Sequence, residues 1–270
     1  MKIFYLGPNG TNSDVAARSI FKDNKSVFIG LNSIEEIFEK VALSHSYTGV
    51  IPFENSYQGV INSSLNGLID YDLKITKEFN FKIIHSFCST NANTKSVNKI
   101  ASHPQVFGQC NKWIRKNYPK AEKIICTSTA DAAQLAKVDQ SIYCIVNNYA
   151  SNLFGLNLHQ SDIQDSPNNT TRFLVIGKMI EDKGLINKTS VMINLDDRPG
   201  SLLEILQPFN KLGINMTRIE TRPSRNNQYQ HTFFIDFEGF YEDKNITKLL
   251  DMLESMTEEI RVIGSYEVIS

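Results

Sequence analysis

Asn168-Asn169-Thr170-Thr171-Arg172-Phe173-Leu174-Val175-Ile176-Gly177 is the stretch around which the rest of the chain is organised. Its second half is a continuous apolar run closed by glycine, the pattern of a buried strand. Its first half is wholly polar, so two hydroxyls and a guanidinium sit where a loop enters a core strand. Such a place holds side chains rigidly while keeping them near solvent, which suits a site. A turn of Asn and Thr with a solvated Arg fits the same residues, and only the remainder of the chain separates the two readings.

Working outward, the unit of strand, polar loop and helix recurs. Lys2–Leu6 reads as a strand, Gly7-Pro8-Asn9-Gly10 as a tight turn, and Thr11 to Asp14 as a capping box with Asp in place of Glu. Val27–Leu31 is a second strand, and Ser33 with Glu36 caps a helix carrying Ile34, Ile37, Phe38 and Val41. Gly49–Phe53 is a third strand, breaking into Glu54-Asn55-Ser56, with a helix expected over Val60–Ile69. Leu73–Cys88 alternates and suggests extended, hinge-crossing strands. Strand Lys99–Ala101 then leads into Ser102-His103-Pro104-Gln105 and a helix with Val106, Cys110, Trp113 and Ile114 on one face. Lys123–Cys126 runs into Thr127-Ser128-Thr129, whose hydroxyls can cap the helix Ala130–Lys137, and Ile142–Val146 is followed by Asn147-Asn148 and a short helix. Polar residues thus gather at the carboxyl ends of strands, the edge where open α/β sheets bind ligands. Each loop read alone is a capping or turn device, so their convergence carries the inference.

After Gly177 the sequence turns polar through Glu181-Asp182-Lys183-Gly184, a linker. Strand Ser190–Leu195, helix Ser201–Leu212 ended by Gly213, strand Ile214–Glu220, a polar hairpin Thr221–Gln230, strand His231–Phe237, helix Ile246–Met256 and strand Arg261–Val268 follow. The order βαββαβ is that of a ferredoxin-like plait.

The 270 residues, 41% hydrophobic and 21% charged, allow two domains of a globular protein. A net charge of -1 offers no bulk field for nucleic acid or an anionic membrane, so anion binding must be local. No apolar run spans a bilayer, and the amino terminus is too soon interrupted by Gly and Pro for a signal peptide. Cys88, Cys110, Cys126 and Cys144 are widely spaced and read as reduced, packed thiols of a cytoplasmic protein.

The segments GPNGT, GVIPFENSYQGVI, SHPQVFGQC, TSTADAA and NNTTRF, followed by RPGSLL, GINMTRIETRP and QHTFFIDFEG, resemble in content and order the prephenate dehydratase family, of the monofunctional type with a carboxyl-terminal ACT regulatory domain. The resemblance covers nearly the whole chain. It implies a two-lobed α/β catalytic domain similar to periplasmic binding proteins over residues 1–180, with lobes of about 1–73 plus 165–180 and 74–164, then a ferredoxin-like ACT domain over 188–270. It also implies conversion of prephenate to phenylpyruvate, water and carbon dioxide, with no cofactor or metal. L-phenylalanine is implied as feedback effector, bound at subunit interfaces of a homo-oligomer, a dimer or dimer of dimers.

Carried onto this sequence, Thr171 and Arg172 are implied to be catalytic: the hydroxyl to assist the leaving oxygen, the guanidinium to hold a carboxylate. Thr11, Asn55, Ser56, Ser102, Gln105, Gln109, Ser128, Thr129, Thr170 and Phe173 are implied to bind substrate. Gly200, Ser201, Leu202, Leu203, Asn215, Glu220, Thr221, Arg222 and Pro223 are implied to meet the effector. The chain departs from the family pattern at Asn12, where an aromatic is usual, and mildly at Asp14, Asp131, Ser201 and Thr221. Arogenate dehydratase, a non-enzymatic amino-acid sensor and a periplasmic solute receptor are the competing readings. The sensor lacks an output segment and the receptor a signal peptide. A chorismate mutase segment is not expected before the first strand.

Overall fold

The computed structural model describes residues 1–22, 25–223 and 230–269. They fall into two compact units, Met1–Gly67 with Asn80–Phe173, and Leu68–Phe79 with Leu174–Ser270. In chain order the elements are β1 (Lys2–Leu6), α1 (Asn12–Ile20), β2 (Val27–Leu31), α2 (Ile34–Ala42), β3 (Tyr47–Asn55), β4 (Gly59–Val60), α3 (Asn62–Asp70), β5 (Lys74–Lys82) and β6 (Ser86–Ser89). Next come β7 (Lys99–Ser102), α4 (Pro104–Gln109), α5 (Asn111–Asn117), β8 (Glu122–Ile125), α6 (Thr129–Val138), β9 (Ile142–Val146), α7 (Asn148–Phe154), β10 (Asn157–Gln160) and β11 (Thr170–Gly177). The chain closes with β12 (Asn187–Asp196), α8 (Ser201–Leu212), β13 (Met216–Pro223), β14 (Gln230–Glu238), α9 (Lys244–Met256) and β15 (Glu259–Ile269).

In the first unit β1 lies between β3 and β2 and runs parallel to both, Lys2 facing Val27 and Tyr47. Helices α1 and α2 pack on this sheet. A second sheet has the order β10-β6-β9-β7-β8. Every residue of β9, Ile-Tyr-Cys-Ile-Val, is buried, as a strand covered on both faces requires. Strand β7 is parallel to β8 and β9, so its carboxyl end and that of β8 open on the same edge. In α3, a Cβ built on Gly67 would sit 2.2 Å from the ring of buried Phe38. Gly67→Ala should therefore destabilise the protein by ~1–3 kcal/mol, read as a lower denaturant midpoint, despite the better helix propensity of alanine.

In the second unit, β13-β14-β12-β15 form an antiparallel sheet in the ferredoxin-like order, with α8 and α9 packed together. Their shared core includes Val191, Ile193, Ile205, Phe209, Ile235, Phe237, Leu249 and Leu253. Helix α8 spans the expected residues, and Gly213 closes it at φ 64, the left-handed conformation of a C′ glycine. One further strand joins the sheet: β5 pairs in parallel with β15, from Ile75 facing Gly264 to Phe79 facing Ile269. Lys188 Nζ meets the buried Glu78 carboxylate at 2.7 Å, and Lys74 Nζ donates to Val262 O at 3.0 Å.

Several boundaries differ from those expected. Leu68–Phe79 counts with the second unit, where the alternating β5 pairs with β15. The helix expected over Val60–Ile69 starts at Asn62, since Gly59–Val60 first turns back on β3 as β4. The helix expected through Val106 and Ile114 bends at Cys110, whose φ -117 and ψ 18 end α4 and begin α5. Strand β10, unmarked by any strong pattern, pairs with β6. The tip of the Thr221–Gln230 hairpin, residues 224–229, lies outside the described residues. Among the described residues no helix is long and apolar enough to cross a membrane.

Candidate active site

A cavity of about 270 Å³ opens within the first unit, at the carboxyl ends of its parallel strands. One wall comes from the β1–α1 turn (Thr11, Asn12, Ser13), the end of β3 (Pro52, Asn55) and β11 (Thr171, Phe173). The other comes from Ile83, His85, α4 with its cap (His103, Gln105, Gln109) and the entry to α6 (Thr127, Ser128, Thr129).

Thr171 is 8% exposed and Asn55 5%. Two backbone donors, Tyr57 N at 3.0 Å and Gln58 N at 3.3 Å, fix Asn55 Oδ1 as the acceptor end of its amide. The amino end then donates to Thr171 Oγ1 at 2.9 Å, to Asn169 Oδ1 at 3.2 Å and to Thr170 O at 3.4 Å. Because Thr171 Oγ1 accepts from Asn55, its own hydrogen is available to donate elsewhere. A rigid, buried hydroxyl with a donor behind it is thus presented to the cavity.

Helix starts supply the rest of the polarity. Thr11 caps α1, its Oγ1 accepting from Asp14 N at 3.3 Å while donating to Leu6 O at 3.1 Å. The buried Asp14 carboxylate accepts from Gly10 N at 2.9 Å and from Arg18 Nε at 2.7 Å. Ser128 caps α6 by accepting from Asp131 N at 3.0 Å. First-turn N–H groups of a helix have no intrahelical acceptor, so α1 and α6 each aim partial positive charge at their amino ends. Among the described residues none that lines the cavity is Asp, Glu, Lys or Arg, so an anion here is met by neutral donors and these helix starts.

Of the residues expected to bind substrate, Thr11, Asn55, Gln105, Gln109, Ser128, Thr129 and Phe173 line the cavity, as does Thr171. Ser56, Ser102, Thr170 and Arg172 do not. Ser56 and Thr170 brace the two loops: Ser56 N donates to Thr170 O at 2.9 Å and Thr170 N to Ser56 Oγ at 3.0 Å. Ser102 Oγ is spent on Ile145 O at 2.6 Å, tying β7 to β9. Strand geometry separates Arg172 from Thr171. Successive side chains of β11 point to opposite faces, Thr171 and Phe173 toward the cavity and Arg172 away, its guanidinium carbon 5.1 Å from the centre of the Phe53 ring. It is not among the residues that line the cavity.

Sequence reasoning missed His85, Asn12 and Asn147. His85 is 1% exposed, and its Nε2 lies 2.7 Å from Gln109 Oε1. With Gln109 Oε1 as acceptor, Nε2 carries the proton. A signal was present: Ile83, His85 and Phe87 alternate, which puts a histidine on the inward face of an apolar run. Asn12 lines the cavity, and Asn147 Nδ2 donates to its Oδ1 at 3.0 Å and to Gly10 O at 2.9 Å. The amide at 12, where an aromatic was the norm, is accounted for by this bond.

Burial lowers the pKa of His85 from its usual 6.5, and burial also lowers that of His103. The unfolded chain takes up a proton near 6.5 on each ring, while the folded ring resists to lower pH. Their contribution to stability is therefore full above about 6.5 and is lost as pH falls through and below it. Denaturant midpoints measured across this range should fall toward acid, and His85→Gln should flatten that slope.

In the second unit the residues expected at the effector site form separate groups. Gly200 caps α8, Ser201 Oγ donates to Arg198 O at 2.8 Å, and Leu202 and Leu203 are exposed. Arg198 forks onto the Glu204 carboxylate at 2.9 and 2.6 Å. Ser201, Arg198 and Glu204 border a cavity of about 40 Å³ that none of Asn215, Glu220, Thr221, Arg222 and Pro223 lines. Asn215 donates to Glu238 at 2.9 Å, and Glu220 lies on the edge strand β13 between Arg218 (3.5 Å) and Arg222 (3.8 Å). An edge strand has no second neighbour within its own sheet.

Comparison with known proteins gives two family matches, prephenate dehydratase over residues 3–181 and the ACT domain over residues 189–244. The bifunctional chorismate mutase/prephenate dehydratase of Pseudomonas aeruginosa is 36% identical over 267 residues, 98% of this chain and 73% of that protein. The prephenate dehydratase of Methanocaldococcus jannaschii is 31% identical over 272 residues, covering 98% of both chains. Among solved structures, prephenate dehydratase from Arthrobacter aurescens in complex with L-Phe superposes with a TM-score of 0.90 at 26% identity, over 99% of this chain and 90% of that one.

Proposed function

The chain belongs to the prephenate dehydratase family, and from that premise we propose that it converts prephenate to phenylpyruvate, water and carbon dioxide in phenylalanine biosynthesis, in the cytoplasm. The observation that carries this reading is the Asn55–Thr171 bond, which leaves a buried hydroxyl hydrogen pointing to a cavity without charged side chains. The bond from the ring to its carboxylate breaks and releases carbon dioxide. Its electron pair completes the aromatic ring as the ring carbon–oxygen bond breaks. The leaving oxygen takes a hydrogen bond from Thr171 and departs as water after gaining one proton. The electrons come from the substrate itself, so the protein's task is to orient both groups and stabilise charge on the leaving oxygen. The helix starts at Thr11 and Ser128 serve the substrate carboxylates, and Gln109 orients the ring.

Prephenate is favoured over arogenate because, among the described residues, the cavity lining holds no carboxylate to receive an ammonium group, while two helix amino termini repel one. The test is phenylpyruvate formation by the purified protein, with arogenate as a parallel substrate. Turnover of arogenate in preference reverses the specificity, and tight binding of prephenate without turnover favours the sensor.

The same family membership supports L-phenylalanine as effector of the second unit, bound between subunits of a homo-oligomer. Gly200–Leu203 on one protomer would then face Glu220–Pro223 on another, which agrees with their separation within one chain. Phenylalanine titrated against activity and molecular mass should change the first and stabilise the oligomer. No change in either refutes the regulatory reading.

A further inference from the structure

Gln109 also borders a second, much smaller cavity of about 10 Å³, together with Tyr57, Gln164, Asp165, Ser166 and Asn169. Two of these residues bring unspent donors to it. Asn169 is 3% exposed, and its Oδ1 is held by Asn55, leaving Nδ2 buried with no partner among the described residues. Gln109 is 5% exposed, and its Oε1 is held by His85, leaving Nε2 in the same condition. A buried amide donor without a partner costs ~1–3 kcal/mol, so two around one cavity call for a common acceptor. Two N–H groups can be taken by the two lone pairs of one water, and the space is close to the roughly 10–15 Å³ that one water needs. Asp165, whose carboxylate accepts from Lys112 N and Trp113 N, and Ser166 also border the space.

We propose that a single water molecule binds in this small cavity and bridges Gln109 Nε2 to Asn169 Nδ2, joining the His85–Gln109 pair to the Asn169–Asn55–Thr171 chain, and that His85 is thereby a positioning residue for the reaction. The far end of this line is firmly set. His85 N donates to the Gln164 side chain at 3.0 Å, its carbonyl accepts from Ile163 N at 3.1 Å, and Gln109 O accepts from Asp165 N at 2.7 Å. Its near end is the hydroxyl assigned to the leaving oxygen, so the kinetic part of the inference rests on the proposed function. Water rather than a cation suits the site, because its two unpartnered buried groups are donors.

The first arm of the test is a crystal structure of the full chain at a resolution that shows ordered water. A peak within hydrogen-bond distance of both amides is expected. A dry cavity in a map that shows other buried waters overturns the proposal. The second arm is a double-mutant cycle of His85→Leu and Asn169→Ala, assayed as prephenate turnover. Each single change should lower kcat roughly tenfold with little change in KM, and the pair should be no worse than the poorer single, because both cut one line. His85→Gln, which keeps a donor, should regain most of the loss, and it serves in the cycle if the leucine variant fails to fold. Additive losses, or a KM effect alone, overturn the proposal. If the wild type does not turn prephenate over, the proposed function fails, and the crystallographic arm still decides the water site.

Discussion

Thr171→Val lowers kcat by roughly 10²–10³-fold and leaves KM and the thermal transition almost where they were. Valine matches threonine in shape and β-branching, so β11 and the Phe173 packing below it persist. The hydroxyl removed is the one whose hydrogen the Asn55 bond leaves free. Asn55 is not orphaned by the change, because its amino end still donates to Asn169 Oδ1 and Thr170 O. The stability loss should therefore stay near ~1 kcal/mol. Thr171→Ser keeps the donor and should retain much of the rate. Single-turnover measurements separate chemistry from release. A valine variant with wild-type kcat would falsify the assignment of this hydroxyl to the leaving oxygen.

Gly264→Ala has the largest expected effect on folding. A Cβ there would lie 2.6 Å from Ile75 Cβ, 2.6 Å from Ile75 O and 3.0 Å from Ile75 N. Two of those atoms are backbone and cannot rotate away, so β5 and β15 must separate or the strand must bend. The expected cost is ~2–4 kcal/mol, seen by calorimetry as a drop in Tm on the order of 10 °C. Gly108→Ala, where an added Cβ meets nothing within 4 Å, is the matched control and should change little. Equal melting of the two variants would mean that the close approach of β15 to β5 is absent in solution.

Periodicity alone revealed much of this fold. Helix α8 and its closing Gly213 follow from an apolar face and a C′ glycine, and the Ser33–Glu36 cap of α2 is realised, Ser33 Oγ accepting from Glu36 N at 3.1 Å. These are local signals, set within a few residues. The site is not local. Asn55 and Thr171 are 116 positions apart, and no pattern in either segment states that they touch; the family resemblance assigned each of them to the site without pairing them. Arg172 was legible in the opposite way. Two neighbours on a strand cannot share a face, so the period-two rule already placed Thr171 and Arg172 on opposite sides. The bond of Ser102 to Ile145 O was not legible, because a hydroxyl at a strand end satisfies a neighbouring strand as readily as a ligand, and this partner is 43 positions away.

The pairing of β5 with β15 also bears on how the chain comes off the ribosome. All of the first unit has been made once Phe173 is added. Strand β5 has been made long before, yet the edge it offers to β15 waits for residues near the end of the message. From Ile75 to Gly264 is roughly 190 residues, or about 10–40 s of synthesis at ~5–20 residues per second. During that interval the edge is open to any extended chain nearby. The segment carries Lys74, Lys77, Glu78 and Lys82, and charges of this kind discourage stray pairing. The nascent protein thus guards its late seam with lysines that the finished sheet then turns to other uses, Lys74 reaching Val262 O and Lys77 the Glu181 carboxylate.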